Sequence, residues 1–160
     1  MTTTNINKRS LLISFGSSSQ MAQAVMPLLK PFDINLILTS KSGNIGMPRG
    51  NEKMAELEEV SINAIIGEFK KIPGLNRSEL FEIVVISFVG ISDDQIFKNL
   101  SSEEIDRLID VNFRSNTYLA SAVLKHFGVG STSFTFISST RALLGDRGLT
   151  MYSATKQALN

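Results

Sequence analysis

Residues 133–160 read SFTFISSTRALLGDRGLTMYSATKQALN. The stretch opens on a β-type run, residues 134–137, that ends at Ser138-Ser139. A glycine-punctuated loop follows, and then Tyr152-Ser153-Ala154-Thr155-Lys156. A helix starting near Met151 places Tyr152 and Lys156 at i and i+4, on one face. An ammonium beside a phenol stabilises the phenolate, which draws a tyrosine pKa down from about 10. A tyrosine so tuned can give or take a proton at a carbonyl or alcohol oxygen. A serine hydroxyl at the strand end can hold that same oxygen by hydrogen bonding. Tyr-x-x-x-Lys alone carries little, because a tyrosine and a lysine one turn apart usually only pack and solvate. Its weight here comes from the strand ending in serine and the thirteen-residue step from Ser139 to Tyr152.

Upstream, residues 81–89 (FEIVVISFV) are the most apolar run and end at Gly90. A run apolar on both faces predicts a central parallel strand. Residues 11–15 read as a buried first strand, and residues 16–22 turn from it into a helix that runs to about Leu29, before Pro31. Small residues between a strand and a helix N-terminus let backbone N–H groups approach a pyrophosphate; a plain serine-rich turn is the other reading. Residues 34–39 predict a second strand, 42–51 a loop, 51–60 a short charged helix and 62–66 a third strand. Strands separated by crossover segments predict an α/β fold, a doubly wound parallel sheet of Rossmann type.

Ser101-Ser102-Glu103-Glu104 is a capping box. The long helix predicted after it keeps an apolar face through Ile105, Leu108, Ile109, Leu119, Val123 and Phe127. Asn112 lies on that face, and a buried asparagine needs hydrogen-bond partners, whether its role is structural or functional. Asn116 shares the face with no assigned role. His126 near the helix C-terminus suits the helix dipole, and Gly128 and Gly130 end the helix.

This order of features resembles the short-chain dehydrogenase/reductase family, whose active site combines Ser, Tyr and Lys with an Asn from an earlier helix. Matched residue by residue, these are Ser139, Tyr152, Lys156 and Asn112. The resemblance implies that Tyr152 is the general acid/base and Ser139 the orienting donor. It makes Lys156 the cation that lowers the tyrosine pKa and a ribose ligand, and Asn112 the anchor of a water linking Lys156 to solvent. The implied cofactor contacts begin with Gly16, Ser17, Ser18, Ser19, Gln20 and Met21, followed by Ser40 and Lys41 after the second strand. Glu68 and Phe69 fall towards the adenine, and Phe88, Val89 and Gly90 join Tyr152 and Lys156 at the nicotinamide end. Arg141, Leu143, Leu144 and Asp146 lie on the loop that lines the substrate side in that family.

No Asp or Glu occurs between Asp33 and Glu52, while Lys41 and Arg49 are available. An acid there binds ribose hydroxyls and a base accommodates a 2′-phosphate, so NADP is expected over NAD; Lys41 as an ordinary surface charge is the plainer alternative. The chain keeps Gly16 but has Ser19 and Ala22 where the family's loop is richer in glycine. It has Ser87-Phe88-Val89-Gly90 where the family usually has Asn-Asn-Ala-Gly. The spacing of Gly16, Ser19 and Ala22 leans towards the extended, nucleotide-sugar branch, and the gap from Ser139 to Tyr152 towards the classical branch. The implied function is hydride transfer between NAD(P) and a small-molecule carbonyl or alcohol. A non-catalytic dinucleotide-binding relative and a nucleotide-sugar epimerase or dehydratase are the alternatives.

The chain has 160 residues, a formal net charge of +1, no cysteine and one histidine. Near-neutral charge gives no electrostatic case for nucleic acid or an anionic membrane as partner. Without cysteine there is no disulfide or thiolate chemistry, and one histidine makes no metal cluster. The short apolar run after Lys8-Arg9 is too brief for a signal peptide, and no run approaches the ~20 residues of a membrane span. The expectation is one dinucleotide-binding domain over residues 1–160, incomplete at its C-terminus, from a cytoplasmic protein. Family members continue past this point, and the resemblance implies a homo-oligomer for a longer parent. The 160-residue chain alone is expected to be inactive and prone to associate through an open strand edge.

Overall fold

Strand β1 (Arg9–Phe15) buries both of its faces: Leu11, Ile13 and Phe15 on one, Leu12 and Ser14 on the other. That is the burial a parallel sheet covered on both sides demands. The structure, a computed structural model, describes residues 9–16, 19–29, 34–39, 63, 66–67, 69–70, 80–92, 95–128 and 132–160. Among these, β1 pairs with β2 (Ile34–Thr39) and β3 (Leu80–Ser87), and β3 pairs with β4 (Thr132–Phe136). All pairings are parallel and the order is β2-β1-β3-β4. The chain runs outward from β1 to β2 and then returns to lay β3 on the other flank of β1. The order therefore reverses between β1 and β3, and in open α/β sheets ligands bind at that reversal, beyond the carboxyl ends of the strands.

Helix α1 (Gln20–Val25) follows β1, continues as a 3-10 turn over Met26–Leu29, and buries Ala22. The expected helix to about Leu29 is thus present, but its last turn is tighter. Helix α2 (Ser102–Ile109) starts at the capping box: Glu104 N–H donates to Ser101 Oγ at 3.2 Å, and Ser101 N–H donates to the Glu104 carboxylate at 2.8 Å. The chain then widens into a π-helical turn over Asp110–Arg114 and continues as α3 (Ser115–Phe127). The sequence predicts one unbroken helix here. The widened turn leaves carbonyls for side chains to take up. Ser115 donates to the Val111 carbonyl (2.6 Å), Asn116 to that of Asn112 (2.8 Å) and Thr117 to that of Phe113 (3.1 Å). Three successive short polar residues, Ser-Asn-Thr, each bond back four residues and stabilise the distortion. Helix α3 stops at Gly128, whose φ of 89° is costly for any residue with a Cβ.

Leu119 and Val123 of α3 pack on Leu11, Ile13 and Phe15 of β1 and on Ile83 and Val85 of β3, with Phe127 and Phe134 at the margin. Burying each such side chain is worth about 1.5–3 kcal/mol, so this face fixes α3 against the sheet despite the widened turn. The third strand expected at 62–66 is not found: Asn63 and residues 66–67 are helical. A short, mostly apolar run fits a helical turn as well as a strand, and periodicity does not separate the two. The helix expected at 51–60 lies outside the described residues. Beyond β4, the stretch read as loop contains a short helix, α4 (Thr140–Leu144), before α5 (Thr150–Gln157), which begins one residue ahead of the expected Met151.

Candidate active site

At the end of β1, Gly16 has φ 69°, and a Cβ there would come within 3.1 Å of the Phe88 backbone. The Phe88 amide bonds to the Phe15 carbonyl at 2.9 Å, which draws the two strand ends together. Gly16 is therefore required by its conformation and by the close approach of the segment after β3. Ser19 caps α1, its Oγ accepting the Ala22 amide at 3.1 Å. Gln20 and Met21 are exposed beside it. Ser17, Ser18, Ser40, Lys41, Arg49 and Glu68 lie outside the described residues.

Phe69 does not reach this edge. It is 8% exposed in the core, its ring edge-on to Phe127 with centroids 5.4 Å apart. Phe127 ends α3, next to the start of β4, where Thr132 Oγ1 donates to the Gly128 carbonyl at 3.0 Å. Phe69 is thus a residue of the core, packed against Phe127. The expected adenine contact gives way to burial of an aromatic ring, a large apolar gain.

Lys156 is the centre of the arrangement. It stands one turn after Tyr152 on α5 and is only 4% exposed. Its ammonium donates to the carbonyl of Val89 at 3.2 Å and of Ile137 at 2.9 Å, the segments that follow β3 and β4. Burial lowers its pKa below the ordinary lysine value. Gly90 lies directly against it: a Cβ at that position would sit 2.6 Å from Nζ and 3.5 Å from Asn112 Oδ1. A side chain at 90 would therefore have to displace the lysine end from its present place.

Asn112 is fully buried in the widened turn. Its Oδ1 accepts the Ile91 amide at 2.7 Å, and its Nδ2 donates to the Ile91 carbonyl at 2.9 Å and to Thr155 Oγ1 at 3.0 Å. Thr155 in turn donates to the Tyr152 carbonyl at 2.9 Å. Both N–H donors of Asn112 are thereby committed, so a relay water on this side chain would have only the acceptor capacity of Oδ1. The asparagine ties the segment after β3 to the helix that carries Tyr152 and Lys156.

The two serines at the end of β4 have different duties. Ser138 Oγ donates to the Lys156 carbonyl at 2.9 Å and fastens α5. Ser139 caps α4, its Oγ accepting the Arg141 amide at 3.2 Å, which leaves its O–H as a donor for another group. Arg141 pairs with Asp146 across the turn after α4, and Leu143 and Leu144 are exposed.

The structure brings Gly90, Asn112 and Lys156 together, with Tyr152 one turn away and Ser139 at the neighbouring strand end. Sequence reasoning missed Ser87, Asn116, Ser138 and Thr155. Only Asn116 gave a signal, by repeating Asn112 one helical turn later on an apolar face. Among the described residues, no group of three His, Cys, Asp or Glu could hold a metal ion.

Comparison with known families adds an independent observation: residues 82–160 match the short chain dehydrogenase family model. Over this part, just under half of its length, the chain is similar to the short-chain dehydrogenase/reductase family. The short-chain dehydrogenase/reductase FrzI of Cladobotryum sp. is 34% identical over 76 residues, which are 48% of this chain and 29% of FrzI. The fold extends further. ElxO with NADP bound superposes with a TM-score of 0.69 at 22% identity, over 95% of this chain and 64% of ElxO. Ligand-free aldohexose dehydrogenase from Thermoplasma acidophilum gives 0.70 at 18% identity, over 96% and 58%. At such identities these two structures establish the shared fold alone, and the chain spans less than two thirds of either.

Proposed function

We propose that this protein is a nicotinamide-dinucleotide-dependent oxidoreductase acting on a carbonyl or alcohol of a small molecule. The observation that carries the proposal is Lys156. An ammonium withdrawn from water, with carbonyl dipoles as its recorded partners, is costly and calls for a reason. It lies beyond the carboxyl ends of β3 and β4, one turn from Tyr152, and two of its three N–H donors are accounted for.

The residues present fit a dinucleotide. Gly16 lets the end of β1 close on the segment after β3, and Gly90 lets that segment lie against Lys156, at the carboxyl ends of the strands where a dinucleotide would lie. When bound, the nicotinamide would supply or accept the hydride. Tyr152 would move the proton at the substrate oxygen, and Ser139, with its O–H undirected by the helix cap, would orient that oxygen. Lys156 would place its positive charge beside the proton-transfer step. Asn112, Thr155 and Ser138 would hold the helix that carries the pair.

NADP as the preferred cofactor rests on Lys41 and the lack of an acid over residues 34–51. The test is a titration of the full natural protein with NADPH and NADH, followed by turnover on a panel of ketones, aldehydes and alcohols read by nicotinamide absorbance. Turnover with tighter NADPH binding, reversed or levelled by Lys41→Ala, is expected. Binding without turnover on the whole panel would support a non-catalytic binder instead, and retention of NAD through catalysis without net oxidation a nucleotide-sugar epimerase.

A further inference from the structure

Both carbonyls that receive the Lys156 ammonium belong to residues whose own amides are bonded to Ser87. The Val89 amide donates to Ser87 Oγ at 3.3 Å, and the Ile137 amide donates to the Ser87 carbonyl at 3.0 Å. Ser87 is 2% exposed. Its hydroxyl proton goes to Asn116 Oδ1 at 2.5 Å, and Asn116, 1% exposed, anchors its amide on the Asn112 carbonyl at 2.8 Å. A continuous buried chain therefore runs from the widened turn of the helix through Asn116 and Ser87 to the backbone that holds Nζ.

We propose that Ser87 and Asn116 are a positioning pair for Lys156: the helix sets Asn116, Asn116 sets the Ser87 rotamer, and Ser87 fixes the Val89 carbonyl. The inference rests on the proposed function only for its catalytic consequence; the geometric claim stands on the hydrogen bonds. Two observations favour positioning over simple satisfaction of polar groups. A buried serine can satisfy itself by bonding to its own strand or helix, yet this one reaches across to another element. The Val89 carbonyl accepts directly from Nζ, and Gly90, the next residue, packs against the same ammonium. A shift of the Val89 carbonyl is thus passed to the ammonium.

The test reads Lys156 directly. Reductive methylation of the full natural protein, quantified by mass spectrometry per lysine, should leave Lys156 strongly protected and the exposed Lys98 reactive. In Ser87→Ala, Lys156 should label about five- to tenfold faster, the equilibrium equivalent of one hydrogen bond, with Lys98 unchanged. Ser87→Thr, which keeps the hydroxyl, should restore protection. With cofactor and substrate present, Ser87→Ala should lower kcat by a similar factor, with a change in cofactor Kd of less than about threefold. Should Ser87→Ala melt below the assay temperature, Asn116→Ser takes its place and should expose Lys156 in the same way. Unchanged Lys156 protection in a folded variant overturns the proposal, and so does equal acceleration at Lys98, which signals general loosening. Increased Lys156 labelling in a protein that turns over no substrate would sustain the positioning pair and refute the oxidoreductase reading.

Discussion

Replacing Asn112 with alanine removes three hydrogen bonds at once and leaves the amide and carbonyl of Ile91 without their partner. An orphaned buried polar group costs about 1–3 kcal/mol. Ile91 is only half-buried, so water can reach its backbone in part and the low end applies to each group. Thr155 keeps its bond to the Tyr152 carbonyl and loses only a donor to its oxygen. Adding the cavity left in the fully buried site brings the loss to about 2–4 kcal/mol. For a chain of this size that is a fall in Tm of about 5–15 °C. The measurement is urea unfolding and thermal melting by circular dichroism, with Asn99→Ala as the control. Asn99 is exposed in the 3-10 turn before α2, and its replacement should stay within about 0.5 kcal/mol. An Asn112→Ala loss no larger than that of the control would mean that the clasp on Ile91 does not hold the segment after β3 to the helix.

Gly90→Ala should place a methyl group 2.6 Å from the present position of Lys156 Nζ and push the ammonium off its two carbonyls. The lysine stem can yield, so the variant should lose no more than about 1–3 kcal/mol of stability while losing most of its turnover; unfolding curves and steady-state rates on the same sample check both. At the start of α2, the Glu104 carboxyl lies below its ordinary pKa, chiefly because the Ser101 amide donates to it. A depressed carboxyl stabilises the fold above its unfolded pKa of about 4.3, and that stabilisation is lost as pH falls through the folded value. Glu104→Gln should therefore be less stable than the parent near pH 7, with the difference closing in acid; a difference independent of pH from 7 to about 3 would contradict the capping-box reading.

The parallel sheet, its strands and the first of the later helices were legible because their residues behave locally. The runs at 11–15 and 81–89 are apolar on both faces, the run at 34–39 is bounded by turn residues, and the Ser101 to Glu104 box announces its helix. The third strand was misread because residues 62–66 carry no periodicity that separates strand from helix. Asn112 was legible as an anomaly, a polar residue on an apolar helix face. Its partners were not, because Ile91 and Thr155 lie 21 and 43 residues away and bond through a backbone and a small hydroxyl. The widened turn was hidden for a related reason. Ser115, Asn116 and Thr117 look like ordinary weak helix formers until their side chains are seen to take up the carbonyls four residues back. Phe69 shows the reverse error, in which a family-like register suggested a ligand contact and an aromatic ring went to the core instead.

The central claim is that Tyr152 moves the proton at a site organised around Lys156. Its most direct test is Tyr152→Phe in the full natural protein, with cofactor affinity and turnover measured on the same preparation. Removing one phenolic oxygen from a half-buried side chain should leave the fold and the cofactor Kd nearly unchanged. It should lower kcat at least about 100-fold, the lower bound for loss of a positioned general acid/base. Normal turnover by Tyr152→Phe would contradict the account, whatever the fold.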